Sequence, residues 1–214
     1  MLLNSHTHLK YANNNSIVCG TSKGDWDKVA KYKYHALGIH PWFVENNFSQ
    51  DIQILEEKIK QQKVIAIGEI GLDFHIKTDQ NLQLKIFNLQ LNLAQKYNLP
   101  VVIHAVKSLD KIINILSKYT VIAQIHGFNG SEIQGQKLLN LGHYLGFGYY
   151  KKSLKLQEFI KNTPTNKILI ETDEKDSKYL SAVVIEIANL RKITITEMVK
   201  ICDKNANTLF GKIT

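Results

Sequence analysis

Long apolar runs are missing from this sequence. No stretch approaches the roughly 18 uninterrupted apolar residues of a membrane span, and the opening Met-Leu-Leu-Asn-Ser lacks the basic and hydrophobic regions of a secretory signal. No membrane association is expected, and a cytoplasmic location is. Cysteine is nearly as scarce: Cys19 and Cys202 form neither a metal spacing nor a disulfide framework, so they read as free thiols in a reducing compartment. Only three prolines occur. With no Pro-, Gly- or Ser-rich linker, no low-complexity tail and no internal repeat, the expectation is one domain over residues 1–214. The glycines build neither a P-loop nor a dinucleotide Gly-x-Gly-x-x-Gly followed by an acid, so no organic cofactor is expected.

What is present is ample core material and an excess of positive charge. At 44% hydrophobic residues, 214 positions suffice to bury a full core. The net charge of +8 favours an anionic partner such as nucleic acid, although the excess is spread along the chain and is equally that of a lysine-rich surface. Short apolar runs suited to buried parallel strands recur eight times, at 2–5, 16–20, 34–39, 64–68, 100–104, 121–126, 143–147 and 167–171. Stretches of helical periodicity lie between most of them, at 51–62, 80–97, 109–118, 132–141 and 154–162, and two more follow at 177–191 and 194–209. Alternation implies a parallel sheet with right-handed crossovers, and eight strands imply closure into a (β/α)8 TIM barrel. Only residues 9–15 separate the first two strands, so the first crossover is abbreviated. An open α/β sheet is the alternative.

The chemistry sits where these strands end. His6 and His8 are two apart in an extended segment and so point the same way, able to reach one ion. Alone, that pair is equally compatible with polar residues at a strand exit. The other ionisable residues add the weight: Glu69 follows the fourth run directly, His104 ends Val-Val-Ile-His, His126 ends Ala-Gln-Ile-His, and Asp173 lies just past the eighth run. Five strands deliver imidazole or carboxylate to one edge, the carboxyl end where barrels of this kind carry their active sites. A metal cluster is the expectation.

Seven segments go further. They are His6-Thr7-His8-Leu9, Gly38-Ile39-His40-Pro41-Trp42, Ala66-Ile67-Gly68-Glu69-Ile70-Gly71-Leu72-Asp73-Phe74, Pro100-Val101-Val102-Ile103-His104, His126-Gly127-Phe128, Glu171-Thr172-Asp173 and Asn205-Ala206-Asn207-Thr208-Leu209-Phe210-Gly211. In this order they resemble the TatD family of metal-dependent hydrolases, within the amidohydrolase superfamily, over essentially the whole chain. The resemblance implies two divalent ions, one held by His6, His8 and Asp173 and the other by His104 and His126, with Glu69 bridging. It implies hydrolysis of a phosphodiester, most plausibly DNA. Imidazole with carboxylate suits Zn or Mn, and carboxylates can retain Mg. A metal-bridging hydroxide is then the expected nucleophile, with Asp173 accepting a proton as catalytic base. Rival readings keep the site but change the bond, to an aminoacyl ester on transfer RNA or a small cyclic amide, or leave the metal structural in a nucleic-acid-binding module.

This chain also departs from the family's common pattern. Lys10 stands where many members have aspartate, Ala105-Val106-Lys107 where many have Ser-Arg, and Glu174-Lys175-Asp176 lacks a frequent proline. The resemblance implies that His40, after the third strand, hydrogen-bonds a substrate phosphate, and from its position Lys107 is expected to meet one as a point charge in place of the usual arginine. Asp73 is expected to orient a ligand or loop, His35 and His143 to be structural or exposed, and Trp42 and Phe43 to pack or to stack on a base at the rim.

Overall fold

The computed structural model describes residues 2–211. Eight parallel strands run in simple order: β1 (Asn4–His8), β2 (Ser16–Gly20), β3 (His35–Leu37), β4 (Ala66–Asp73), β5 (Val101–Val106), β6 (Ala123–Ile125), β7 (Tyr144–Phe147) and β8 (Ile168–Ile170). Thr7 pairs with Asp173 in a parallel bridge beyond β8, which closes the sheet. The closure is reinforced by side chains: Ser5 Oγ donates to Ile170 O, Thr7 Oγ1 to Asp173 O and Asn4 Nδ2 to Thr172 Oγ1. The architecture is the expected (β/α)8 barrel.

Among the described residues six helices lie between strands, α1 (Trp26–Val29), α2 (Phe48–Gln61), α3 (Gln80–Tyr97), α4 (Leu109–Leu116), α5 (Glu132–Asn140) and α6 (Leu154–Asn162), and two follow β8, α7 (Tyr179–Arg191) and α8 (Ile195–Phe210). The abbreviated first crossover is a single 3-10 turn, Leu9–Tyr11. Local chemistry sets the helix ends. Ser131 with Gln134 and Thr194 with Glu197 form capping boxes at α5 and α8, and Asn98 ends α3 in the left-handed region.

Strand alternation sorts the core into two bodies. Val18, Leu37, Ile67, Ile103, Ile125, Leu145 and Ile168 face the helices. Ile17, Cys19, Ala36, Ala66, Val102 and Leu169, their neighbours in sequence, pack with Leu209 and Phe210 of α8. Several of the second set are small, which leaves room for long polar side chains higher in the barrel. Two strands break register. Between Asn4 and Thr7 of β1, and between Ile67 and Ile70 of β4, three steps oppose two on the partner strand. Such a bulge re-aims the side chains on it, and these two carry His6 and Glu69.

Candidate metal centre

Every ligand expected from the sequence converges at the carboxyl end of the barrel. Glu69, at 1% exposure, stands in the middle, and its two oxygens face different groups. Oε2 lies 3.3 Å from His6 Nε2 and 3.4 Å from His8 Nε2. Oε1 lies 2.7 Å from His126 Nε2 and 2.9 Å from His104 Nδ1. Asp173 joins the first group, its Oδ1 being 3.0 Å from His8 Nε2 and 3.4 Å from His6 Nε2. Triplets drawn from these residues bring donor atoms within 4.8 Å of one another, close enough to hold an ion.

Several of these buried atoms have no ordinary partner. His6 Nε2, Glu69 Oε2 and His126 Nδ1 are buried without a hydrogen bond among the described residues, a costly state for polar groups. The electrostatics point the same way. Burial by itself would raise the Glu69 pKa, but the imidazoles of His126 and His6 outweigh it and hold the carboxyl well below its ordinary range. Burial likewise works against Asp173, and the imidazoles of His6 and His8, 3.4 and 3.0 Å from its Oδ1, overcome it. Both acids are held in the ionised form, Glu69 in a dry pocket and Asp173 at its open side, and together they call for positive charge. The residues fit divalent ions.

Outer partners fix which ring nitrogen of each imidazole faces the centre. His6 Nδ1 meets Cys19 Sγ at 3.2 Å, leaving Nε2 for the centre. Burial pushes the Cys19 thiol up, so it partners His6 as a neutral group. His104 Nε2 lies 3.4 Å from Asp73 Oδ2, which also accepts from Trp42 Nε1 at 2.8 Å. Asp73 is thus placed to orient a histidine. His126 Nδ1 has Glu171 Oε1 at 3.6 Å, and Glu171 is itself held by the Gly127 amide and by Gln124 Nε2. Cys19 and Glu171 escaped the sequence reading. Cys19 carries no spacing signal at all, whereas Glu171 is visible as the first residue of Glu-Thr-Asp.

The candidate substrate contacts separate. His40 is at the centre, its Nε2 3.4 Å from Glu69 Oε1. Its Nδ1 accepts the Trp42 amide at 3.2 Å, and burial lowers its pKa. Neutral His40 with Nδ1 so engaged carries its proton on Nε2 and is a donor toward the cavity. Lys107 is elsewhere. It is exposed in a left-handed backbone conformation (φ 52°) at the end of β5 and lines a neighbouring cleft instead of the metal cavity. Lys10 does line that cavity, together with Trp42 and Phe43, whose exposures of 53% and 47% put both aromatics at the rim. His35 and His143 are buried away from it.

A family model described as TatD related DNase matches residues 7–211. The uncharacterized metal-dependent hydrolase YabD of Bacillus subtilis is 31% identical over 196 residues, spanning 83% of this chain and 77% of that protein. The 3'-5' ssDNA/RNA exonuclease TatD of Erwinia amylovora is 27% identical over 206 residues, spanning 85% of this chain and 80% of that one. Among solved structures, the TatD homolog YjjV of Escherichia coli superposes with a TM-score of 0.90 at 25% identity, covering 98% of this chain and 97% of its own.

Proposed function

This chain belongs to the TatD-related DNase family and is a metal-dependent hydrolase acting on ester bonds, and from that premise we propose that it cleaves phosphodiester bonds of single-stranded nucleic acid. In this reading two divalent ions (Zn, Mn or Mg) are held by His6, His8 and Asp173 on one side and by His104 and His126 on the other. The observation that carries it is the division of Glu69, one oxygen toward His6 and His8 and the other toward His104 and His126. One carboxylate facing two donor groups would let Glu69 serve both ions. The activity in the name of the Erwinia relative supports the bond class and the single-stranded substrate.

Ions bound there would polarise a phosphoryl oxygen and acidify a water. The remaining work falls to side chains. Asp173 is 41% exposed at its carboxylate, open to the cavity and ionised, and takes the proton from the attacking water. His40 donates from Nε2 to a phosphate oxygen, and Lys10 supplies charge at the mouth. Both cysteines are buried free thiols, and no helix among the described residues is long and apolar enough to cross a membrane. The free thiols support a reducing compartment such as the cytoplasm.

The test is a metal-stripped preparation recharged in turn with Zn, Mn and Mg. Each form is assayed on single-stranded oligodeoxynucleotides, oligoribonucleotides, bis(p-nitrophenyl) phosphate and an aminoacyl ester. Metal-dependent turnover of the diesters is expected. Turnover of the aminoacyl ester with none of any diester would overturn the proposal.

A further inference from the structure

Beside the metal cavity, of about 350 Å3, lies a larger cleft of about 830 Å3, and His126 lines both. The smaller space is near the lower end of the range for small-ligand sites. At that volume it suits a phosphodiester group and its immediate neighbour, so a longer strand would continue over the rim. The larger cleft opens at that rim, between the segment after β5 and the segment after β6. Its walls carry Lys107 and Lys111 on one side and Asn129 and Ser131 on the other, with half-buried Phe74 and buried Phe128 among its apolar lining.

Three features bear on what it holds. Lys107 and Lys111 are both exposed, and among the described residues neither has an ion-pair or hydrogen-bond partner. Asp110, the acid in the lining, is engaged by Gln134 Nε2 at 2.9 Å. The cleft therefore carries two uncommitted cations against one carboxylate that is turned to a neutral amide, a surplus of one positive charge that favours a phosphate. Lys107 also keeps a left-handed conformation at φ 52°, disfavoured for a residue with a side chain. That turn at the end of β5 sets where its ammonium stem leaves the backbone. The apolar lining with a half-exposed aromatic is the surface on which a base stacks, and an amide beside it can meet a base edge or a sugar hydroxyl.

We propose that this cleft is the subsite for the nucleotide next to the scissile phosphate, with the strand's phosphates on Lys107 and Lys111 and a base against Phe74. The assignment rests on the reading of the metal centre as a nuclease site. It also makes the cleft, and not the metal ligands, the source of preference for a polynucleotide over a small diester.

The experiment compares the wild-type holoenzyme with the Lys107→Ala/Lys111→Ala pair and with Asn129→Trp, which narrows the cleft. Each is assayed on a single-stranded decanucleotide and on bis(p-nitrophenyl) phosphate, and decanucleotide binding is followed by fluorescence anisotropy across a salt series. Both variants should raise KM for the decanucleotide about tenfold more than for the small diester. The lysine pair should also reduce the salt slope of binding by about two phosphate contacts. Equal losses on both substrates, or an unchanged decanucleotide KM and salt slope, would overturn the subsite while leaving the nuclease reading intact. Should the wild type bind the decanucleotide through the cleft without cutting it, the nuclease reading falls and takes with it the assignment of the cleft to a nucleotide beside a scissile phosphate. If it neither binds nor cuts, both fall.

Discussion

His126 and its neighbour Glu171 show how a residue outside the ligand set can decide whether the set works. Glu171 is fully buried and fixed by two hydrogen bonds, and its Oε1 is the acceptor nearest to the otherwise unpartnered His126 Nδ1. A carboxylate behind a ligand imidazole selects the tautomer and sharpens its basicity. Glu171→Gln keeps the size and removes the charge, and it should weaken metal affinity about 10- to 100-fold in chelator competition. Lower thermal stability with unchanged affinity would mean that Glu171 only supports the fold. His143 makes the opposite case, a histidine whose work is structural. Burial, with the Lys167 ammonium nearby, lowers its pKa to about 4, and its Nδ1 accepts the Ala123 amide. An unfolded chain binds that proton at about pH 6.5, so between about pH 6.5 and 4 the unfolded state holds more protons than the folded one. The stability contributed by neutral His143 is whole above this window and is lost as pH falls through it, up to about 3 kcal/mol. Urea unfolding at pH 7.5 and pH 4.5 should show a smaller difference in His143→Gln than in the wild type, and an equal difference would contradict this account.

Among the elements, β4 carries the tightest constraint. Gly71 sits at φ 146°, and a Cβ there would lie 2.0 Å from the carbonyl oxygen of His104 on β5. The two strands that bring Glu69 and His104 together thus meet through a position only glycine fills. Gly71→Ala should cost about 3 kcal/mol through overpacking and backbone strain, and it should lower metal content before the fold is lost. A folded Gly71→Ala protein with full metal content would refute that coupling. The same strand shows what sequence could reveal. Apolar runs located all eight strands, but the fourth was expected to stop at residue 68, and β4 continues to Asp73. The first was expected to stop at residue 5, and β1 continues to His8. Hydrophobicity marks a strand only while its side chains are apolar, and these strands turn polar where they enter the site. The bulges in β1 and β4 are invisible for a related reason, since they depend on pairing with another strand. The ligands were legible because each falls at or just past the end of an apolar run. Cys19 and Glu171 were not, because their roles come from neighbours far away in sequence, and the placement of Lys107 depended on a local left-handed turn.

At the scale of the molecule, the barrel closes where its chemistry lies. The Thr7 to Asp173 bridge joins the first and last strands, and Asp173 N donates to His6 O at 3.1 Å. The last ligand is thereby fixed beside the first two, and assembling the sheet assembles the centre. Small inward residues lower in the barrel and α8 packed against them leave the carboxyl end open to hold charge. The account stands or falls on one carboxylate serving two ions. Elemental analysis of the purified wild type and of Glu69→Ala, each after identical recharging with Zn or Mn, measures that directly. The wild type should hold close to two ions per chain, and Glu69→Ala should fall well below one because both sites lose a ligand. A Glu69→Ala protein that is folded and still carries two would contradict the account.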